Sequence, residues 1–221
     1  MMKKLAIIGN GTYAKMMKIY IDMTSFGQVL SYVADKEFIY ESELDGIEVI
    51  SFEELFERFS EKEITLIMGI GYTQMGNVRK KIFEQCKARG YKFENYIHPT
   101  AIIAPDARIG EGNNILEAAI IEAGVTIGNA NLFYGGVIIG HDSSIGDYNT
   151  FSVKAVTAGF VTVKNNCFFG VASALKNDII IHDYVLVGAM ACGYKDMEEH
   201  SVVVPAGSEV LQHKKSTDCH L

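Results

Sequence analysis

The sequence predicts two units in tandem: an α/β domain built on a small parallel sheet, followed by a parallel β-helix. Apolar segments alternate with amphipathic helical segments over residues 1–96, which predicts the sheet. A Gly-rich turn after the first apolar segment is typical of a nucleotide-binding fold. Apolar residues then recur at every sixth position through most of residues 97–211, which predicts the β-helix. Residues 212–221 carry little apolar content and are expected to form a flexible tail.

The elements of the first unit follow from its apolar runs and turn residues. Short apolar runs bounded by turn residues indicate buried strands, and longer amphipathic stretches indicate the helices between them. Ser51 has the side chain of a helix N-cap. In chain order, the predicted elements are a strand at 4–8, a helix ending near residue 23, a strand at 29–33, a short strand near 47–49, a helix after Ser51, a strand at 65–71 and a helix at 73–88.

The six-residue repeat defines the second unit. A helix repeats at about 3.6 residues and a strand at about 2, so a period of six indicates short strands joined by tight turns. Three hexads make one triangular coil, and the fifteen hexads here predict about five coils. The alternative is a β-sandwich, whose strands vary in length and would lose this phase. Fourteen of the fifteen repeat positions are large and apolar, Thr157 being the exception: Ile103, Ile109, Ile115, Ile121, Ile127, Phe133, Ile139, Ile145, Phe151, Thr157, Val163, Phe169, Leu175, Ile181 and Val187.

The glycine turn after the first strand is a candidate nucleotide site. Gly9, Gly11 and Ala14 have the spacing of the phosphate-binding turn of dinucleotide folds. Asp35 follows the second strand, about where an acid meets a ribose or base. About 95 residues provide one half of such a fold, so a single nucleotide fits better than a dinucleotide. The alternative is that both glycines only permit a tight turn.

Composition excludes several other classes of function. The net charge is −7 and no Lys/Arg cluster stands out, which argues against nucleic-acid binding. No apolar run approaches the roughly 20 residues of a membrane-spanning helix, and the first apolar run is too short for a signal peptide. The four cysteines are scattered without a CxxC pair, so we expect reduced thiols in a cytoplasmic protein and no metal site.

Several segments carry a resemblance to a known family. They are the glycine turn IIGNG at 7–11, the junction IHPTAII at 97–103, GHDSSIGDY at 140–148, NCFFG at 166–170 and VVPAG at 203–207. With a half-Rossmann unit before the hexads, the chain resembles hexapeptide-repeat sugar acyltransferases of the sialic-acid O-acetyltransferase-like family. It is most similar to nucleotide-amino-sugar N-acetyltransferases of the bacillosamine type. The resemblance implies a left-handed β-helix, a homotrimer, and acetyl-CoA as co-substrate in the groove between neighbouring subunits.

The resemblance also implies roles for individual residues. His141 occupies the place of the general base, which suits a group that titrates near working pH. Asp142 would orient its ring, and the backbone N–H of Gly159 would stabilise the thioester oxyanion. The acetyl-CoA arm is expected near Gly159, Ala172 and Lys176. The nucleotide-linked sugar is expected at these residues: Gly9, Asn10, Gly11, Thr12, Tyr13, Asp35 and Thr150.

Three residues depart from the family pattern. Gly140 stands where an acid often precedes the catalytic His, which leaves Asp142 as the local orienting carboxylate. Tyr13 and Thr150 stand where the family often has histidines, and these two changes imply a different sugar stereochemistry or nucleotide.

The expected activity is acetyl-CoA-dependent N-acetylation of a nucleotide-linked 4-amino-4,6-dideoxy sugar, for surface-glycan synthesis. An O-acetyltransferase acting on a sialic-acid-like sugar hydroxyl is the alternative, because the same base and groove would serve it. A non-catalytic β-helix that binds zinc through stacked histidines is disfavoured. A step of eighteen residues from His141 reaches Ala123 and Gly159, so no histidine ladder exists there.

Overall fold

The computed structural model describes residues 2–207, and the predicted tail at 212–221 lies outside that range. An α/β unit with a five-stranded sheet is followed by a solenoid of two-residue strands. The sheet has the order β3-β4-β2-β1-β5 and is parallel except for the β3–β4 pair. The elements of the α/β unit are β1 (Lys4–Ile8), α1 (Thr12–Met23), β2 (Gln28–Ala34), β3 (Glu43–Leu44), β4 (Ile47–Ser51), α2 (Phe52–Arg58), β5 (Thr65–Met68) and α3 (Asn77–Ala88).

The predicted strands and helices of this unit are present, with changes at the last strand and the last helix. The strand predicted at 65–71 ends at Met68. Ser51 caps α2 and forms a capping box with Glu54, as its side chain predicts. The helix predicted at 73–88 begins only at Asn77, so its predicted start is wrong. Gln74 and Met75 adopt left-handed backbone conformations within a short 3-10 turn. L-residues do not continue a right-handed helix through such conformations, so residues 73–76 form a loop.

The β-helix consists of three parallel sheets. Residues paired on adjacent strands are eighteen positions apart, except in the last pair, where Leu186 pairs with Val202. The first sheet contains β7 (Ile102–Ile103), β10 (Ile120–Ile121), β13 (Ile138–Ile139), β16 (Val156–Thr157), β19 (Ala174–Leu175) and β22 (Cys192–Gly193). The second contains β8 (Arg108–Ile109), β11 (Thr126–Ile127), β14 (Ser144–Ile145), β17 (Thr162–Val163) and β20 (Ile180–Ile181). The third contains β6 (Tyr96–Ile97), β9 (Asn114–Ile115), β12 (Leu132–Phe133), β15 (Thr150–Phe151), β18 (Phe168–Phe169), β21 (Leu186–Val187) and β23 (Val202–Val203).

The fifteen repeat positions form the interior of the β-helix. Each is the second residue of a strand from β7 to β21, and all from Ile115 onward are buried. Phe133, Phe151 and Phe169 stack in successive coils with ring centroids 5.2 and 4.4 Å apart. Apolar burial drives the assembly because a single coil exposes its inner face until its neighbours cover it. Thr157 is buried as well, so the one lapse in the repeat lies inside the core.

A second period of six lies at the corners of the coils. Every sixth residue from Gly112 to Met190 has a positive φ, with values between 50° and 73°. Gly occupies three of these corners, and Asp or Asn occupies three more. These are the residue types that adopt the left-handed conformation most readily. The remaining corners are occupied by residues for which this conformation is disfavoured.

Two polar ladders, which the sequence analysis did not identify, run along the coils. Asn113, Asn131 and Asn149 are buried, and each accepts a hydrogen bond from the backbone N–H eighteen residues later. Asp147 and Asp183 accept from the backbone N–H groups eighteen residues earlier. These side chains satisfy corner amides that the strand pairing leaves without partners.

The two units are joined by a buried arginine on α3. Arg79 is fully buried and donates to the carbonyl oxygens of Ala130, Tyr148 and Asn149 and to the Thr150 hydroxyl. It also donates to the Gly71 carbonyl, in the loop after β5, at 2.7 Å. Burial lowers the pKa of Arg79 to about 10, because the cation has lost its water without gaining a carboxylate partner.

Candidate active site

The glycine turn between β1 and α1 is built from two glycines with different structural needs. Gly9 has φ +109, and a Cβ there would lie 2.9 Å from the Gly69 carbonyl oxygen, so the turn requires glycine at this position. Gly11 is the N-cap of α1 with φ −84, and a Cβ there would meet no atom within 4 Å. The backbone conformation therefore does not require Gly11, and its missing side chain leaves open space at the helix N-terminus.

That open space belongs to a cleft of about 520 Å³ between the two units. The free N–H groups and the dipole at the start of α1 favour an anion at this position. The loop after β5 forms the opposite side. The lining residues are Gly9, Asn10, Gly11, Thr12, Tyr13, Met16, Gly69, Ile70, Gly71, Tyr72, Thr73 and Tyr134.

Tyr13 and Tyr134 form an aromatic wall of this cleft, with ring centroids 5.7 Å apart. The Tyr13 hydroxyl accepts a hydrogen bond of 3.0 Å from the side chain of Asn114, which is fully buried. Burial raises the pKa of Tyr13 well above its usual range and that of Tyr134 to about 12. Both phenols are therefore neutral near pH 7 and serve as contact surface and hydrogen-bonding groups.

Asp35 lies at the end of β2, beside the glycine turn. It lines a smaller cavity of about 140 Å³ together with Gly9, Asn10 and Phe38. The Asn10 amide donates to the Phe38 carbonyl at 2.8 Å, which holds the turn against the segment after Asp35. The structure therefore brings together six of the seven residues predicted for the nucleotide-linked sugar.

Thr150 is the seventh, and it does not line the cleft. It is buried in β15, and its hydroxyl accepts from Arg79 at 3.1 Å. The structure gives it a packing contact between the two units. The expectation that Thr150 contacts the sugar gains no support from this position.

His141 follows β13 at an exposed corner of the β-helix. Its Nδ1 lies 2.9 Å from Oδ2 of Asp142, and the two side chains are each 53% exposed, which leaves them open to a ligand. A proton on Nδ1 directed at the carboxylate leaves the Nε2 lone pair free to accept another. The pair thus has the geometry of an oriented general base.

Gly159 lies in the next coil, directly against the His141 ring. A Cβ there would lie 2.5 Å from Nε2, so only glycine leaves room for the imidazole in this orientation. Phe160 packs edge-on against the same ring, with centroids 5.1 Å apart. The structure therefore joins His141, Asp142 and Gly159 in one place.

The two other predicted cofactor residues continue along the outside of the β-helix. Lys176 follows β19, which pairs with β16, and Gly159 lies shortly after β16. Ala172 occupies the corner before β19, and both Ala172 and Lys176 are exposed. Gly159, Ala172 and Lys176 therefore lie along the outer surface of successive coils, where a ligand could contact them.

Several residues near these sites lie outside the motifs that the sequence shows. Tyr134 and Tyr72 line the cleft but lie outside the glycine-turn motif. Glu122 accepts a hydrogen bond of 2.8 Å from the His141 backbone N–H. It is one of the few acids in the hexads near His141, yet no motif assigns it a role. His141, Asp142 and Gly159 are absent from the lining of the cleft, so within one chain the base and the cleft occupy separate surfaces.

The described residues contain neither a metal-ligand cluster nor a membrane-spanning helix. Within residues 2–207, no cluster of three or more His, Cys, Asp or Glu has the arrangement of a metal site. None of the helices in that range is long and apolar enough to cross a bilayer.

Comparison with known proteins first identifies the N-terminal unit. Residues 4–86 match the family model described as the PglD N-terminal domain. This range contains the glycine turn, the parallel sheet and most of α3. The N-terminal unit of this chain is thus similar to the PglD N-terminal domain.

Solved structures then extend the similarity over both units. PerB from Caulobacter crescentus, crystallised with CoA and GDP-perosamine, is 24% identical with a TM-score of 0.80, over 90% of this chain and 92% of that one. The acetyltransferase domain of PglB from Neisseria gonorrhoeae, in complex with acetyl coenzyme A, is 22% identical with a TM-score of 0.81, over 93% and 100%. WeeI from Acinetobacter baumannii is 19% identical with a TM-score of 0.80, over 92% and 97%. The expected fold is confirmed: an α/β domain followed by a left-handed parallel β-helix, as in these three structures.

Proposed function

We propose that this protein is an acyltransferase that uses acetyl-CoA to N-acetylate a nucleotide-linked 4-amino-4,6-dideoxy sugar, with His141 as general base. The observation that carries the proposal is the His141–Asp142 pair, 2.9 Å apart, with Nε2 facing the Gly159 backbone. The full-length similarity to sugar N-acetyltransferases agrees with it.

The reaction follows from the groups present at this corner. The sugar amine attacks the thioester carbonyl carbon, and Nε2 of His141 accepts the proton that the amine loses. The Gly159 N–H is the candidate donor to the oxygen that becomes negative. Collapse of the tetrahedral intermediate breaks the C–S bond, and CoA leaves as a thiolate that takes up the proton held by His141. Asp142 accepts from Nδ1 throughout and stabilises the imidazolium.

The glycine-turn cleft is the proposed site of the nucleotide. The diphosphate would lie at the N-terminus of α1, in the space left by Gly11, with Asp35 on the ribose or base side. Tyr13 and Tyr134 would contact the sugar. PerB was crystallised with GDP-perosamine, which supports a nucleotide-linked amino sugar as the class of acceptor.

The proposed assembly is a homotrimer. In one chain the cleft and His141 lie on different surfaces, so a neighbouring subunit would bring a cleft to each base. Exposed apolar side chains on successive coils offer a contact surface for it: Val153, Phe160, Val171 and Met190. Sedimentation at several concentrations tests this assembly, and a stable monomer would contradict it. We expect the protein to act in the cytoplasm, on a nucleotide sugar destined for a surface glycan.

The test is release of CoA thiol from acetyl-CoA with UDP-, dTDP- and GDP-linked 4-amino sugars, and with free sialic acid. Turnover with one nucleotide amino sugar supports N-acetylation. Turnover only with the hydroxyl acceptor supports the O-acetyltransferase alternative, and no turnover with any acceptor contradicts both.

The base is tested by His141→Ala, which should lower kcat by about two to four orders of magnitude. His200→Ala is the matched control, because His200 also lies 3.4 Å from a neighbouring carboxylate at an exposed position of the β-helix. It should leave kcat unchanged. Equal activity of the two variants would remove His141 from the proposed role.

A further inference from the structure

The single lapse in the hexad repeat lies next to the proposed base. Thr157 is the polar residue among fifteen inward positions and is only 2% exposed. Its hydroxyl accepts a hydrogen bond of 3.0 Å from the backbone N–H of Gly140, the residue before His141. A buried hydroxyl in an apolar interior is costly unless it is paired, so this contact accounts for its presence.

The hydrogen bond replaces one rung of a regular ladder. In the first sheet of the β-helix, which contains β13, the residue that follows a strand usually donates its N–H to a carbonyl in the next coil. The residues that do so are Ala104, Glu122, Ala158 and Lys176. Gly140 occupies the same place in the series, and its N–H goes to the Thr157 side chain. The change of partner occurs at the one rung that leads into His141.

The coils also pack closely at Gly140, as they do at other glycines that directly follow strands. A Cβ at Gly140 would lie 2.4 Å from the Ala158 carbonyl carbon, so the two coils approach more closely there than a side chain permits. The next amide, that of His141, is held from the opposite side by the Glu122 carboxylate at 2.8 Å. Two successive amides are therefore fixed by side chains, one from the coil before and one from the coil after.

We propose that Thr157 is a positioning residue, which holds the Gly140–His141 backbone so that Nε2 points at the reacting amine. This inference rests on the proposed function of His141. Thr157 lies inside the β-helix and does not touch the ligand groove, so it acts through His141. Glu122 supports the same backbone from outside the core.

Thr157→Val tests this role, because it removes the hydroxyl and keeps the branched shape. Val also restores the apolar residue present at the other repeat positions. This gain offsets part of the cost of leaving the buried Gly140 N–H without its acceptor, so the variant should fold with a modestly lower melting temperature. We expect kcat to fall about tenfold, since small misplacements of a catalytic group have large effects on rate. The KM values for acetyl-CoA and acceptor should stay within about twofold. Thr157→Ser keeps the hydroxyl and should retain most of the activity.

A double-mutant cycle separates positioning from a general packing effect. If Thr157 acts through His141, Thr157→Val should have no further effect on kcat in the His141→Ala background. A wild-type kcat in Thr157→Val, or an equal loss with and without His141, would overturn the inference.

The Gly140 amide provides a readout that needs no activity. In two-dimensional NMR spectra of the deuterated protein, the Gly140 N–H should shift and exchange faster with solvent in Thr157→Val than in wild type or Thr157→Ser. An unchanged Gly140 resonance in Thr157→Val overturns the positioning role even if the turnover of that variant falls. A changed resonance, with no turnover by the wild type on any acceptor, contradicts the proposed function and leaves the hydrogen bond established.

Discussion

Replacing Arg79 should weaken the protein more than a typical buried substitution does. Arg79→Met keeps most of the side-chain volume but removes the donor to five oxygen acceptors, of which the Asn149 carbonyl still accepts a hydrogen bond from the Leu132 N–H. A buried acceptor that loses its partner costs about 1–3 kcal/mol. The variant no longer has to bury a cation, and this offsets part of the loss. The lowered pKa of Arg79 shows that burial of the cation is unfavourable. The Gly71 carbonyl is only partly buried and can bind water in the variant, so we expect a net loss of about 3–5 kcal/mol.

The assay is urea denaturation followed by circular dichroism at pH 7 and one fixed subunit concentration, because assembly contributes to stability. Lys81→Met on the same helix is the control. Lys81 is exposed, so its replacement should change the free energy of unfolding by less than about 0.5 kcal/mol. Arg79→Lys should fall between the two, because an ammonium cannot reproduce the planar fork of donors.

A loss below about 1 kcal/mol for Arg79→Met would refute the argument that these five bonds join the units. If that variant does not fold, Arg79→Lys decides the matter. Wild-type stability for Arg79→Lys would then show that the guanidinium geometry is not required.

Three further predictions follow from single features of the structure. Gly9→Ala should destabilise the fold by about 1–3 kcal/mol through backbone strain, whereas Gly11→Ala should leave stability unchanged and weaken nucleotide binding about tenfold. Calorimetry with UDP, dTDP and GDP would check this, and an unchanged affinity in Gly11→Ala would favour a turn-only role for the glycines. Burial raises the pKa values of Tyr13 and Tyr134, so both phenols stay protonated in the folded state at pH values where the unfolded chain ionises them. The free energy of unfolding should therefore stay constant below about pH 10 and then fall by up to about 1.4 kcal/mol per pH unit for each tyrosine. Melting temperatures between pH 9 and 11.5 should therefore fall less steeply in Tyr134→Phe than in wild type, and parallel curves would contradict the assignment. Asn131→Ala should cost about 2–3 kcal/mol in urea denaturation, because it interrupts a buried ladder, and a loss below 1 kcal/mol would contradict that role.

The β-helix could be predicted because its stabilising contacts repeat in the sequence. Each inward residue, such as Ile121 or Phe151, packs against residues eighteen positions away, so the local pattern already contains the long-range contact. The strands of the α/β unit were similarly evident, since continuous apolar runs indicate buried strands.

The remaining features depend on contacts between residues that show no shared pattern. Arg79 lies in an ordinary amphipathic helix, and nothing in that helix indicates that its partners are carbonyls of residues 130 and 148–149. Tyr134 enters the cleft only because the two units pack together. The late start of α3 is caused by left-handed conformations at Gln74 and Met75, which neither residue type favours. Each of these is decided by tertiary structure.

The repeat also provides a baseline against which the site can be recognised. Asp142 has a positive φ of 55°, which in isolation suggests strain reserved for catalysis. The same conformation occurs at every sixth residue from 112 to 190, so it belongs to the coil and carries no functional information. What separates this corner from the others is the hydroxyl of Thr157 in place of a ladder carbonyl. Local departures from an otherwise consistent pattern are expected at functional positions. In a repeat protein such departures can be located from the sequence, and here the single polar hexad position leads directly to the backbone of His141.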